Sequence, residues 1–330
     1  MSFDLSVIVP TYARAEAVRR LLDALSEQSL SAGRFEVIVA IDGSRDGTQE
    51  VVSDLTAAYY LSSIWQENSG RAAACNAGII RASAPIVLIL DDDMEPAAEC
   101  LEAHLDAHAG GGRRCVLGAA PIELRPGDLP VARYFERKFD RHLRQLAKPD
   151  HHFVARDFYS GNTSVERALL IEAGMFDAEF RRYGNEDVDL ALRLAAAGAE
   201  IVYEPRALAM QRFDKDLARA VEDAESKGQT ALLLACKRPD ALPQLRLATY
   251  KQAGIRWRIL RGLLLRLGRR SQRLLQLLPR FTLVLERTGM PLPWLYYDRL
   301  LDLFFWVGVE KGLDALEGED AATARRLPLH

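Results

Sequence analysis

The sequence has no run of about 18 uninterrupted apolar residues, the minimum for a membrane-spanning helix, so any membrane association is expected to be peripheral. No export signal is expected, since residues 5–9 read at once as a strand, without a basic leader, a long apolar core or a cleavage site. Cysteine is scarce. Cys75, Cys100, Cys115 and Cys236 lie far apart, with neither metal-ligand nor disulfide-framework spacing, as expected of buried thiols in a reducing cytoplasm. Positive charge is not in excess either, since the formal net charge is −3 over 330 residues. That excludes a general nucleic-acid binder, which neutralises phosphates with surplus Lys and Arg. The absence of G-x-G-x-x-G argues against a dinucleotide oxidoreductase. There is no internal repeat. One absence is local: residues 241–285 contain no Asp or Glu but ten Arg and Lys, so this stretch is suited to something anionic.

What is present is a globular balance, 49% hydrophobic and 27% charged. Short apolar runs at residues 5–9, 35–41, 60–65, 86–90 and 115–119 alternate with amphipathic stretches at 15–28, 48–58, 71–81 and 97–109. Such alternation predicts parallel strands with crossover helices, a doubly wound α/β unit. Residues 153–161 read as a return strand and loop, 168–173 and 187–197 as helices, and 201–203 as a short strand. Beyond Phe213 the pattern is mostly helical. The expected division is a catalytic region over 1–215, with 1–120 and 121–215 as its halves, and a helical region over 216–330.

In such sheets ligands bind beyond the carboxyl ends of the strands. Those ends are polar here: Pro10-Thr11-Tyr12 after the first, Asp42-Gly43-Ser44 after the second, Asp91-Asp92-Asp93 after the fourth. Three adjacent carboxylates repel one another unless a cation joins them. Asp91 and Asp93 suit Mg²⁺ or Mn²⁺, which takes one or two protein carboxylates and completes its shell with phosphate oxygens and water. The competing reading is an acidic helix start with Pro96 in its first turn. Residues 42–48 can be a turn and a capped helix, although capping leaves Asp42 unexplained. Arg71 opens a small-residue helix and can pair with phosphate or ribose. Glu186 and Asp187 follow Gly184 at another helix start, where a carboxylate can take a proton from an incoming hydroxyl. His104 and His108 are spaced i, i+4 without a third ligand, as in an ordinary amphipathic helix.

Taken together these segments resemble the family 2 glycosyltransferases of the GT-A fold. The resemblance rests on Val-Ile-Val-Pro-Thr-Tyr with Arg14, the Asp42-Gly-Ser-x-Asp-Gly-Thr segment, Asn68-x-Gly with Asn76-Ala-Gly78, Leu90-Asp-Asp-Asp-Met-Glu-Pro96, Gly161-Asn-Thr-Ser164, Ala173-Gly-Met-Phe-Asp177 and Glu186-Asp-Val-Asp-Leu with Arg193. It implies a nucleotide-sugar donor, a UDP-sugar first, with Pro10, Thr11, Tyr12, Arg14, Asp42, Arg71, Asp91 and Asp92 on the donor side. Asp93 and Asp91 would serve the metal, Asn162 and Glu186 the acceptor side, and Asp187 would be the base of an inverting transfer. The acceptor would be a saccharide, glycolipid or peptide. The sequence departs from the family pattern at Gln211, where a histidine is usual, and at Cys75, where an arginine is usual, with Arg71 as the stand-in. A nucleotidyltransferase would need a Gly-rich basic loop in place of Pro10-Thr11-Tyr12, and the non-enzymatic alternative is a scaffold that keeps the fold as a binding module.

In residues 255–278 arginines alternate with leucines, a pattern suited to an anionic membrane surface or to a solvated helix packed on the rest of the chain. Trp294, Tyr296, Tyr297, Phe304, Phe305 and Trp306 suit a membrane interface, a lipid-linked acceptor or a homodimer contact. The expected location is cytoplasmic, on the inner face of the membrane.

Overall fold

The computed structural model describes residues 2–288 and 292–316. Its first half follows the alternation expected from the sequence: β1 (Leu5–Thr11), α1 (Ala15–Ser26), β2 (Phe35–Asp42), α2 (Thr48–Asp54), β3 (Tyr60–Gln66), α3 (Arg71–Arg81) and β4 (Ile86–Leu90). β1 and β2 are buried along their whole length, which is why they read as mostly apolar runs, and their buried Ser6 and Glu36 satisfy one another, the hydroxyl donating to the carboxylate at 2.6 Å. β3 lies at the sheet edge and is half exposed.

Past β4 the rhythm changes. β5 (Met94–Pro96) is a short strand and α4 (Cys100–Ala109) begins only afterwards, so the acidic triplet does not open a helix. β6 (Arg114–Gly118), β7 (Ile122–Glu123) and α5 (Pro130–Leu146) follow. The return strand expected over 153–161 lies instead at β8 (Asn162–Glu166), while the earlier segment holds a turn of 3-10 helix at Ala155–Asp157. The reason is chemical: β8 buries Asn162, Thr163 and Ser164, satisfied by hydrogen bonds rather than apolar packing, so hydrophobic pattern points elsewhere. α6 (Arg167–Glu172), α7 (Glu186–Ala196), β9 (Glu200–Glu204) and β10 (Ala209–Arg212) complete this half.

Seven strands form one sheet in the order β3-β2-β1-β4-β8-β6-β9. β8 runs antiparallel to both its neighbours, and the other pairs are parallel. A second sheet, β5-β10-β7, joins segments too short to show periodicity. Helices cover both faces of the large sheet. Leu5, Val7 and Val9 pack with Val18, Leu21 and Leu25 of α1 on one side, and Ile8 and Ile38 pack with Cys75 and Ile79 of α3 on the other. Cys75, Cys100 and Cys115 are buried free thiols, as expected.

The C-terminal helices are α8 (Leu217–Lys237), α9 (Ile255–Arg270), α10 (Gln272–Leu275), α11 (Leu277–Arg287) and α12 (Trp294–Ala315). The chain divides into two compact units. One contains Met1–Glu123, Lys138–Arg181 and Glu186–Phe213; the other contains Leu124–Arg137, Arg182–Asn185 and the chain from Asp214 onward. Within the helical unit α8 and α12 approach so closely that a Cβ on Gly228 would meet the Phe305 carbonyl, and one on Gly308 the Glu225 carbonyl. Tyr297, Phe304, Phe305 and Trp306 are buried in this unit. They are core residues, which corrects their reading as interface aromatics: at helical spacing an aromatic cluster fills a core as readily as it meets a partner. Among the described residues no helix is long and apolar enough to cross a membrane.

Candidate active site

Because β2, β1 and β4 are adjacent and parallel, their carboxyl ends stand side by side. β8 is antiparallel to β4, with Leu90 opposite Asn162, so the residues that precede β8 arrive at the same end. Asp91 N–H accordingly donates to the Gly161 carbonyl at 2.9 Å. A Cβ on Gly161 would meet Asp91 Oδ2, so any larger residue here would push the Asp91 carboxylate aside.

Asp42, at the end of β2, is buried and holds the loop that follows β3. Its Oδ1 accepts from Gln66 Nε2 and from Ser69 N–H, each at 2.8 Å, and its Oδ2 accepts from Gly70 N–H at 2.8 Å. This clamp fixes the next residue, Arg71. Its Nη2 donates to Asp91 Oδ1 at 2.6 Å and its Nε to the same oxygen at 3.1 Å. Arg71 Nη1 lies 3.7 Å from Asp187 Oδ1 and makes no hydrogen bond among the described residues. Burial opposes the charge on Arg71, but Asp91, Asp187 and Glu186 outweigh it, so its pKa is raised. Cys75 follows Arg71 by one turn of α3. That thiol is buried and its pKa is pushed up to about 12.

Asp92 turns inward. Its Oδ2 accepts from Thr11 Oγ1 at 2.7 Å, and its Oδ1 lies 3.0 Å from Arg14 Nη1. Burial, with Asp93 nearby, raises its pKa to about 7 against the pull of Arg14. Asp93 Oδ2 stands 3.5 Å from Arg14 Nη1 and 3.4 Å from Gln211 Nε2. Gln211 comes there because β10 pairs with β5, placing it opposite Met94. Tyr12 is exposed and Pro10 lies within β1.

Asp187 and buried Glu186 open α7. Ser160 Oγ donates to Asp187 Oδ1 at 2.5 Å. Burial raises the Asp187 pKa, while Arg71 and the Ser160 hydrogen bond restrain the rise. Nothing in composition or periodicity marks Ser160. Its only trace in the sequence is its position just before Gly161-Asn162.

The fold therefore makes two contact sets, one of Thr11, Asp92, Arg14 and Asp93 and one of Asp91, Arg71 and Asp187, joined through the consecutive residues 91–93, with Asp42 one loop away. Asn162 does not join them. It is fully buried, its Nδ2 donates to the Ala119 and Ala207 carbonyls, and its Oδ1 faces His104 Nε2 at 2.9 Å. Its amide is spent inside the sheet. His104 and His108 both meet Ser164 Oγ at 2.9 Å, and burial pushes both imidazoles down to about 4. They belong to a buried polar network. The helical unit holds a cavity of about 600 Å³ lined in part by Tyr183, Glu222, Gln229 and Arg280, with none of the strand-end carboxylates.

Among the described residues no three His, Cys, Asp or Glu side chains form a ready metal cage. Both carboxylates of the expected metal-binding pair are shared with arginines, Arg71 holding Asp91 at 2.6 Å and Arg14 standing 3.5 Å from Asp93. Gln211 faces it with an amide whose oxygen or nitrogen can be turned inward.

Comparison with known proteins bears on the family and on the fold that holds these residues. The chain is 29% identical over 270 residues to validoxylamine A glucosyltransferase of Streptomyces hygroscopicus, covering 73% of this chain and 62% of that protein. It is 32% identical over 159 residues to the glycosyltransferase AglE of Haloferax volcanii, covering 46% of this chain and 52% of that protein. The chain thus spans roughly half to three-fifths of the curated relatives it matches. Among solved structures, the mannosyltransferase PcManGT from Pyrobaculum calidifontis, in complex with GDP-Man and Mn²⁺, aligns with a TM-score of 0.63 at 21% identity, over 96% of this chain and 89% of that one. S. aureus TarS in complex with UDP-GlcNAc aligns with a TM-score of 0.54 at 16% identity, over 94% and 91%. At these identities the likeness establishes the shared fold. The family described as glycosyl transferase family 2 matches residues 6–170, the half of the chain that carries Thr11, Asp42, Arg71, the acidic triplet and Ser160, and the chain belongs to that family.

Proposed function

We propose that the chain is an inverting, metal-dependent glycosyltransferase that moves a sugar from a nucleoside-diphosphate donor, a UDP-sugar first, to a hydroxyl of a saccharide, glycolipid or peptide. The observation that carries this reading is the bridge made by Arg71 between Asp91 and Asp187, which ties the donor-side carboxylates to a buried acid at one end of the sheet. The complexes of PcManGT with GDP-Man and Mn²⁺ and of TarS with UDP-GlcNAc, on the same fold, support it.

In this reading residues 1–215 form the catalytic region and 216–330 the helical one. Asp42 and the loop it clamps meet the base, Pro10, Thr11, Tyr12 and Arg14 border the nucleoside, and Asp91 and Asp92 orient the ribose and diphosphate. Arg71, pre-ordered by Asp91, offers its Nη1 to the diphosphate. Asp93, with Asp91 or Gln211, would hold Mn²⁺ or Mg²⁺, and the ion would supply positive charge to offset the negative charge developing on the leaving diphosphate. Asp187 takes the acceptor hydroxyl proton on a carboxylate oxygen. The acceptor oxygen then bonds to the anomeric carbon as the bond to the diphosphate oxygen breaks on the opposite face. Ser160 and Arg71 keep Asp187 ionised enough to act, and Glu186 lies beside it on the acceptor side. Asn162, its amide committed within the sheet, serves as a support. The working location is the cytoplasm, at the inner membrane face.

A thermal-shift screen of nucleotide sugars with Mn²⁺ and Mg²⁺ tests the reading. At least one donor should stabilise the chain only with a divalent cation, and that donor should release its nucleoside diphosphate when an acceptor is supplied. Stabilisation by no nucleotide sugar would contradict it.

A further inference from the structure

α9 and α11 are inverted. In a helix packed on a globular unit the apolar side chains face inward and the charges outward. In α9, Ile255, Ile259, Leu263 and Leu267 are spaced four apart, so they form one stripe, and all are exposed, Ile255 by 64%. The opposite side buries Leu265 and Gly268 and, with them, Arg261, 1% exposed, whose Nη1 meets Asp302 Oδ2 at 2.7 Å and whose guanidinium lies over the Tyr250 and Trp306 rings. α11 repeats the inversion. Leu277, Phe281 and Val284 share an exposed face, Phe281 by 61%, while Thr282 and Glu286 are buried. Residues 255–284 supply half of the large apolar side chains exposed on the described chain.

Arginines share the outward side. At 100° per residue Arg256, Arg266 and Arg270 fall within the same arc of α9 as the exposed stripe, and each is exposed. None of the three has an ion-pair partner among the described residues. With no Asp or Glu anywhere between residues 241 and 285, nothing acidic in the segment offsets them. An apolar face that is also cationic complements a surface with acyl chains beneath anionic headgroups.

We propose that α9 and α11 dock the chain on an anionic lipid bilayer, with the Ile255–Leu267 stripe and Phe281 seated at the headgroup boundary and Arg256, Arg266 and Arg270 on lipid phosphates. The proposal gives the membrane location suggested above its contact surface, and it stands or falls apart from sugar-transfer chemistry.

Co-sedimentation of the full chain with vesicles tests it. Binding should be strong on vesicles of phosphatidylcholine with 30–40% phosphatidylglycerol, at least tenfold weaker on phosphatidylcholine alone, and weaker as salt rises, because exposed charges are screened. Leu263→Asp and Phe281→Asp should each lower it about tenfold or more, as should the pair Arg266→Gln with Arg270→Gln. Because every one of these side chains is exposed, unchanged circular dichroism and melting temperature should show that the fold is kept. Equal binding by the variants and the parent overturns the proposal, as does indifference to anionic lipid. So does sedimentation velocity showing a dimer that Leu263→Asp splits in a chain that ignores vesicles, which makes the face a contact with a second copy.

Discussion

At the scale of the residue the account turns on how Asp187 is kept basic. Burial favours its protonated form, whereas the Ser160 hydroxyl and the Arg71 guanidinium favour the carboxylate. A base works only when ionised, so transfer should rise with pH through the Asp187 pKa, which lies above the ordinary carboxylate range. Asp187→Asn should lower kcat by about 10²–10⁴-fold with donor binding near the parent's; losing both binding and turnover, or neither, would remove Asp187 from that role. Ser160→Ala takes away a hydrogen bond to the charged form, so the rising limb of the kcat–pH profile should move to higher pH. A lower plateau with an unmoved midpoint would leave Ser160 a packing role. Asp92 gives a separate test through stability. Its folded pKa of about 7 exceeds the unfolded value of about 3.9, so its contribution is full below pH 4 and is lost as pH rises through 7. Asp92→Asn cannot ionise. The melting temperature of this variant relative to the parent should therefore climb between about pH 4 and pH 7 and level off above. A difference that stays flat across that range would contradict the inward, desolvated setting of Asp92.

At the scale of the element, the first four strands and three helices could be read from residues 5–90 because β1, β2 and β4 are short and mostly apolar, the edge strand β3 keeps Tyr60, Leu61, Ile64 and Trp65 around two serines, and helix-length amphipathic stretches separate them. β8 escaped because Asn162, Thr163 and Ser164 trade apolar packing for a hydrogen-bonded network with His104 and His108. β5, β7 and β10 span two to four residues, too few to carry a period. The pairing of α8 with α12 was equally hidden, since it depends on backbone approach at Gly228 and Gly308 rather than on the spacing of apolar side chains. Gly308→Ala should therefore destabilise the helical unit by about 1–3 kcal/mol, as overpacking does, and lower the urea midpoint. An unchanged midpoint would mean that the two helices are not held at this distance.

At the scale of the whole chain, the acidic strand ends were legible because parallel α/β sheets collect ligands at one end, and that rule needs no coordinates. Asp42, Asp91 and Asp93 were recognisable in this way, whereas Arg71 and Asp187 were read as residues that open helices after loops. What the sequence could not convey is how the groups are shared: Asp42 spent on a loop, Asp91 on Arg71, Asp92 on Thr11 and Arg14. Single polar residues in loops, such as Ser160 and Gln66, carry no pattern, and their partners are fixed only when distant segments meet. The central claim is that one cation and one diphosphate are gripped by carboxylates from separate strands. Calorimetry of UDP binding with and without Mn²⁺, on the parent and on Asp93→Ala, measures it most directly. The parent should bind UDP at least tenfold more tightly with Mn²⁺, and Asp93→Ala should lose that gain; an Mn²⁺ effect of the same size in both proteins would contradict the account.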